Sequence, residues 1–418
     1  MSDNRNLIVG IDLGNEVTQV SYLNPKNNIV ESIFPDATRQ EHAIPTVLAV
    51  VNGKREWLFG QEAVECGDQK MGYVVRNFLD YPEKTLAIWD TEVSKVFLIE
   101  KFLRKVLLLV KKQFPEDAIQ KLVVTIKHLE VELIDQIYEA LKNLGILKDR
   151  VRIISHAQSY LYFALSQKKE LWMNDVALFD LDDEGLMYYQ LSIDRRNRPV
   201  VVGLQAKDFK DMLQYEEILR KDENVEYIFD NIASSVMHKQ IISTVYLTGK
   251  GFSGDWIQPC LKSLCTGRRV FIGQNLYCFG ACYAAREDAT GERFGDFAFL
   301  SEESLPVSVS MKLYSHAVLG EMMLIPMATP WYEAKRNFYV ILDEEEELQF
   351  IIRDVLRKTT QTRIISLEGL EPRMEKGTRL EVRLCCMNNQ TLVITVKDMG
   401  FGEFQPSSNR IWEQVINV

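Results

Sequence analysis

Apolar positions along this chain follow two periods, and their alternation predicts the element order. Leu7-Ile8-Val9-Gly10-Ile11 is a continuous apolar run, followed by Asp12-Leu13-Gly14-Asn15 and then by Val17 to Leu23, rich in β-branched and aromatic residues. This reads as strand, turn and strand, a hairpin with an acid at its tip. Further strands are expected over Ile44–Val51 and Trp57–Phe59, and a helix from about Thr91 to Gln113, where apolar residues recur at helical spacing. The strand Leu122–Ile126, a helix Glu130–Leu144 stopped by a left-handed Gly145, a short strand Val151–Ile154 and a helix Ala157–Leu165 complete the first half.

The opening pattern then returns. Val176 to Leu181 is an apolar strand carrying Asp180 near its end, followed by a turn and by Leu186 to Ile193, so the strand-acid-turn-strand unit recurs about 168 positions on. Thr244 to Thr248, then Gly249-Lys250-Gly251-Phe252-Ser253-Gly254 and an apolar helix through Leu264, read as strand, glycine turn and helix. A small-residue helix, Leu276–Ala285, permits close packing, and the polar stretch Arg286–Phe294 suits a linker.

From about Leu305 the pattern is that of strands: Val307–Leu313, Glu321–Ile325, Asn337–Leu342, Gln349–Arg353, Thr362–Leu367, Arg379–Cys386 and Thr391–Val396. Leu380, Val382 and Leu384 alternate with Arg379, Glu381 and Arg383, as in a sheet with one wet face. Short strands at this spacing predict a β-sandwich, with a hairpin tip at Asn388-Asn389. The acidic run Asp343–Glu347 reads as a solvated turn.

Composition narrows the function classes. A chain of 418 residues, 46% hydrophobic, can bury a large core in two or three domains. A formal charge of −10 argues against nucleic-acid or anionic-lipid partners. Val106–Val110 is the longest kind of apolar run present, far below the roughly 20 residues of a bilayer span, and the N-terminus lacks a secretory pattern. A cytoplasmic protein is expected. The seven cysteines form no Cys-x-x-Cys pair, which points to reduced, mostly buried thiols, and Cys278 with Cys282 reads as core packing.

Two hairpins with acids at their tips and a glycine turn opening a helix suit one task. Backbone N–H groups in tight turns can wrap the phosphates of a nucleotide from both sides, the acids can hold Mg2+, and glycines let a nucleoside approach the backbone. Gly249-Lys250-Gly251-Phe252-Ser253-Gly254 also matches the dinucleotide fingerprint, but it lies late in its domain, with Arg268-Arg269 where a ribose-binding acid is sought, which disfavours an oxidoreductase.

Gly10-Ile11-Asp12-Leu13-Gly14 resembles the first phosphate motif of the actin and DnaK-type heat-shock chaperone superfamily. Ile44-Pro45-Thr46-Val47-Leu48-Ala49 and Phe59-Gly60-Gln61-Glu62-Ala63 are similar to the chaperone branch. Leu122–Ile126, Arg152–Ala157, Phe179-Asp180-Leu181 and Leu247–Gly251 follow in the family's order, the last resembling its adenosine turn. Met323–Pro326, Leu367–Leu370, Glu381–Arg383 and Val393–Asp398 are similar to its peptide-binding β-domain, and Phe297–Leu300 to its apolar interdomain linker.

The resemblance implies an α/β actin-like (ribonuclease H-like) two-half nucleotide-binding fold over residues 1–288, with halves about 1–170 and 171–288. It also implies a linker over 289–304 and a C-terminal β-sandwich over 305–418. A retained site would take ATP or ADP with Mg2+ at Asp12, Gly14, Asn15, Arg76, Asp180, Gly185, Gly249, Lys250 and Gly251, with Asp12 and Asp180 on the metal. Met322, Met323, Ile325 and Met327 are the candidates for contacting a peptide, methionine being adaptable to varied surfaces.

The departures weigh against hydrolysis. Where the family has glycines after its second Asp, this chain has Asp182-Asp183-Glu184-Gly185. Carboxylates there face phosphate oxygens, and uncompensated like charges at a few ångströms cost several kcal/mol. Asn15-Glu16 replace the family's hydroxyl pair, Arg76 alone stands for its catalytic lysine, and His156 stands where it has a glutamate. The stretch from Asp180 to Gly249 is shorter than in the chaperones, and no helical lid follows before Val418. The expectation is a chaperone-like protein or peptide-binding protein on a degenerate, non-hydrolysing scaffold. The alternatives are an active ATP-dependent chaperone and a structural subunit of a larger assembly.

Overall fold

The structure, a computed structural model, describes residues 6–35, 42–54, 56–222, 224–315, 318–342, 346–354, 357–370, 377–403 and 405–418. Most of the acidic run, Asp343 to Glu345, lies outside the described residues. The chain divides into two compact units, Met1–Ser192 with Ala206–Gly295, and Ile193–Gln205 with Asp296–Val418.

Two mixed sheets organise the first unit, and they are built alike. In one, Asn6–Leu13 pairs antiparallel with Val17–Leu23 and parallel, on its other edge, with Ala118–Ile126, which pairs parallel with Val151–Ser155. In the other, Asp175–Asp182 pairs antiparallel with Gly185–Asp194 and parallel with Ile242–Thr248, which pairs parallel with Arg269–Ile272. The registers correspond as well: Asp12 lies opposite Thr125, and Asp180 lies opposite Thr248. The continuous apolar runs that open each half are buried on both faces, as central strands of such sheets must be.

Helices cover these sheets. Lys95–Gln113 buries Leu98, Ile99, Phe102, Leu103, Val106 and Val110. It starts at Lys95 and not near Thr91, because Thr91–Ser94 forms a hairpin with Thr85–Ile88 and the Ser94 hydroxyl accepts from the Phe97 N–H at 3.1 Å, capping the first turn. Val131–Asn143 ends before Gly145, whose φ of +82° is left-handed.

Helix Leu276–Thr290 packs on the first sheet although it follows the strands of the second. A Cβ at Gly10 would stand 2.3 Å from the Cys282 backbone nitrogen, and one at Gly280 2.0 Å from the Ser159 carbonyl oxygen of helix His156–Ser166. Ser21 and Ser159 donate to the Cys278 and Tyr277 carbonyls at 2.7 and 2.5 Å, tying this helix to a strand and a helix of the first half.

Arg286–Thr290, expected in a linker, continues this helix and stops at Gly291. Asp288 pairs with Arg152 at 2.9 Å, so the polarity of the stretch serves packing within the unit. The proposed linker span 289–304 is likewise structured: Phe297–Leu300 is a strand paired in parallel with Val200–Gly203 of the arm that belongs to the second unit.

The second unit holds two antiparallel four-stranded sheets. One runs Val318–Ile325, Val307–Ser315, Glu347–Asp354, Thr359–Ser366; the other runs Lys335–Leu342, Thr378–Asn388, Thr391–Asp398, Ile411–Asn417. Val307, Val309, Phe350 and Ile352 of the first share one apolar core with Leu380, Val382, Leu392 and Ile394 of the second. Ile411–Asn417 was not anticipated from the sequence, since Glu413 and Gln414 break its apolar run. Glu381, on the face expected to be wet, is buried and held by Arg383 at 2.8 Å and Asn337 at 3.1 Å.

Candidate functional site

The tips of the two repeated hairpins, the glycine turn and the first turn of helix Leu276–Thr290 converge in the first unit. Asp12, at the end of its strand, accepts from His156 Nε2 at 2.7 Å. The imidazole lies flat on the Tyr277 ring, centroids 3.9 Å apart, and the Tyr277 hydroxyl donates to Asp180 Oδ2 at 2.6 Å. The two acids expected to share a metal are therefore joined through an imidazole and a phenol stacked on one another.

Burial governs their titration. Desolvation pushes the Asp180 carboxyl up to about 6, helped by the charge of Asp182 and opposed by the Tyr277 hydrogen bond, His156 and Lys127. For His156, burial alone favours the neutral ring, but the Asp12 carboxylate and its hydrogen bond outweigh that and hold the imidazole above its usual value. Three buried polar atoms around Asp12 lack a partner among the described residues: Gln19 Oε1, Thr125 Oγ1 and His156 Nδ1. Gln19 and Thr125 lie directly opposite Asp12 on the two neighbouring strands.

Asp182-Asp183-Glu184, whose carboxylates were expected to stand uncompensated, is compensated, although Asp183 and Glu184 are exposed. Lys127, which follows the strand Ala118–Ile126, reaches Asp182 at 2.6 Å and Glu184 at 3.1 Å. Its ammonium is partly desolvated, yet these carboxylates hold its pKa above the ordinary value. Glu184 also meets His128 at 3.0 Å and Lys210 at 3.4 Å; partial burial pushes its carboxyl up, but His128 and Lys127 bring it down to about 2. Lys250 of the glycine turn pairs with Asp183 and, at 2.7 Å, with Glu16 of the first hairpin, its ammonium over the Tyr215 ring. The sequence alone gave no sign that Lys127 or Lys210 would be here; only the fold sets a residue 55 positions away against Asp182.

The glycines are used by the fold itself. A Cβ on Gly249, whose φ is +90°, would sit 2.3 Å from the Leu181 carbonyl oxygen, and one on Gly251 2.4 Å from the Leu181 side chain. Gly185 has φ +98° and would meet the Lys210 backbone at 2.9 Å; a Cβ on Gly14 would meet the Val17 carbonyl at 2.7 Å. The turn Gly249–Gly254 leads into short 3-10 turns before helix Gln258–Leu264, so no helix N-terminus opens at the glycines. Asn15 is engaged by Asp80. Arg76 does not join the group: it is exposed beyond the strand Gly72–Val75 and makes no contact with these carboxylates among the described residues.

The peptide-contact candidates separate. Ile325 is buried in the core of the second unit and Met322 packs against that core, so both side chains face inward. Met323 is 49% exposed and Met327 half-buried, so these two remain available to a partner.

Among the described residues, no helix is long and apolar enough to cross a membrane, and no three His, Cys, Asp or Glu side chains are grouped to hold a metal ion. No curated protein matches the chain. Residues 304–418 match a domain of unknown function, DUF8552. Residues 30–302 match the family of unknown function DUF5716, in the part described as C-terminal, and the chain belongs to that family.

Proposed function

We propose that this chain is a chaperone-like protein that binds a protein or peptide partner, built on a two-half actin-like scaffold that does not hydrolyse nucleotide. The observation that carries the reading is the internal neutralisation of the acidic hairpin tips. Lys127, Lys250 and His156 supply the positive charge, and Tyr277 the hydrogen bond, that a nucleotide's metal and its water shell would otherwise bring to Asp12, Asp180, Asp182 and Asp183. The matching order, senses and register of the two sheets support the two-half scaffold. A polyphosphate entering here must displace lysines already bonded to carboxylates, and would leave those carboxylates facing its own charge. Calorimetric titration with ATP, with and without Mg2+, is expected to give no binding at micromolar nucleotide; micromolar affinity together with phosphate release would sink the reading. For the partner, binding of the full chain to an extended-peptide array should weaken on Met323→Glu.

A second reading, a retained small-cation site without nucleotide, is favoured by the unpartnered Gln19, Thr125 and His156 atoms beside Asp12. Titration with Mg2+ alone separates it from the first: heat abolished by Asp12→Asn would favour it. We propose a cytoplasmic location under either reading, supported by the free, mostly buried cysteines.

A further inference from the structure

The two mixed sheets of the first unit are bridged by side chains that sequence distance would never pair. Lys127 leaves the end of a strand in the first sheet and ends on Asp182 and Glu184 of the second hairpin. Lys250 leaves the turn after the second sheet's Ile242–Thr248 strand and ends on Glu16 of the first hairpin as well as on Asp183. His128 adds a third crossing, to Glu184. Each hairpin tip is thus held by a cation, Lys127 for the second and Lys250 for the first, that comes from the other sheet.

We propose that these crossings form a built-in latch that keeps the two sheets closed on each other without any ligand. The alternative, a set of incidental surface pairs, is weighed by burial. The Lys250 arm is exposed, 35% for the lysine and 57% for Glu16, and by itself such a pair holds little. The Lys127 arm is different: the lysine is 19% and Asp182 27% exposed, and Asp180 lies behind them, buried and close enough to feel both charges. Removing Lys127 leaves Asp180, Asp182 and Glu184 together without it in a region that screens charge poorly. The inner arm sets the closed position and the outer arm fastens the rim. The hairpin tips lie at the free ends of their sheets, so opening there requires these pairs to part together with the Tyr277–Asp180 bond; the packing of Gly10 and Gly280 deeper in the unit is untouched. The inference stands on these contacts and not on the functional reading.

Hydrogen exchange of the full chain tests it, read at four amides near the tips: Gly14, Thr46, Leu186 and Phe252, bonded to Val17, Glu16, Leu213 and Gly249 respectively. The strand Thr391–Asp398 of the second unit serves as the internal reference. Lys127→Asp is expected to speed exchange at the tips by at least about tenfold relative to that strand, and Lys127→Asp with Asp182→Lys to recover most of the protection. Raising salt to roughly 1 M should speed the tips of the unsubstituted protein too, the outer arm being the more screened, which keeps the test available if a variant fails to fold. Tip exchange that ignores both Lys127→Asp and salt, or a reversed pair that protects no better than Lys127→Asp alone, overturns the latch. ATP binding with tip protection unchanged would instead overturn the functional reading and leave the latch standing.

Discussion

The two repeated hairpins share order, strand senses and register, yet each has solved the same electrostatic problem differently. The first bonds Asp12 to an imidazole and Glu16 to Lys250, and packs its strand so tightly beneath helix Leu276–Thr290 that Gly10 has no room for a side chain. The second carries Leu178 at the position corresponding to Gly10 and crowds four acids, Asp180, Asp182, Asp183 and Glu184, into its tip. It holds them with a phenol and with lysines drawn from elsewhere. A repeated backbone therefore sets where charges stand, while the side chains around it decide whether they are neutralised from within or left for a ligand.

The largest test of this contrast compares corresponding positions. Gly10→Val must push against the backbone of a helix and is expected to cost about 3 kcal/mol or more in denaturant unfolding, whereas Leu178→Val should cost only about 1 kcal/mol. Equal losses would mean that the two strands are packed alike.

The next contrasts the acids by pH. Asp180 holds its proton up to about 6 in the folded chain against an ordinary 3.8, so the folded state binds that proton more tightly than the unfolded. Its contribution is fully present below the ordinary 3.8 and is lost as pH rises from there through about 6. His156, raised by Asp12, acts in the same direction: its contribution is present below its ordinary value of 6.5 and lost as pH rises through the higher folded value. Asp180→Asn should therefore gain on the wild type by roughly 2–3 kcal/mol between pH 4 and pH 7, measured by chemical denaturation at each pH. A gap that stays constant would mean that Asp180 is ionised throughout.

The smallest test separates the two arms of the ion network. Lys127→Met is expected to lower unfolding stability by about 1–2 kcal/mol, since it strands partly buried carboxylates, and Lys250→Met by less than about 1 kcal/mol, a loss that shrinks further with added salt. A larger effect at Lys250 would reverse the assignment of inner and outer arm.

Much of the scaffold could be read from residue order, because periodicity and turn chemistry are local. Val9 and Ile11 against Ala177 and Phe179, each run ending in an acid, made both hairpins visible, and Gly145 marked its helix end. Local signals failed where a side chain's role depended on a distant neighbour. Arg286–Thr290 looked like a linker because its charges face Arg152 and the backbone amides of Arg293 and Phe294. The glycines of Gly249–Gly251 looked like room for a nucleoside, whereas the space beside them is filled by Leu181. Met322 and Ile325 could not be told from Met323 until the strand's two faces were assigned.

By itself the sequence determined that two hairpins would each present an acid at their tips and that the second would be crowded with carboxylates, since strand period and residue type suffice for both. Only the tertiary structure decided what those carboxylates meet. Charge interactions fall off over a few ångströms, and it takes the folded sheets to bring Lys127, Lys250 and His156 within that range of acids 55, 67 and 144 positions away.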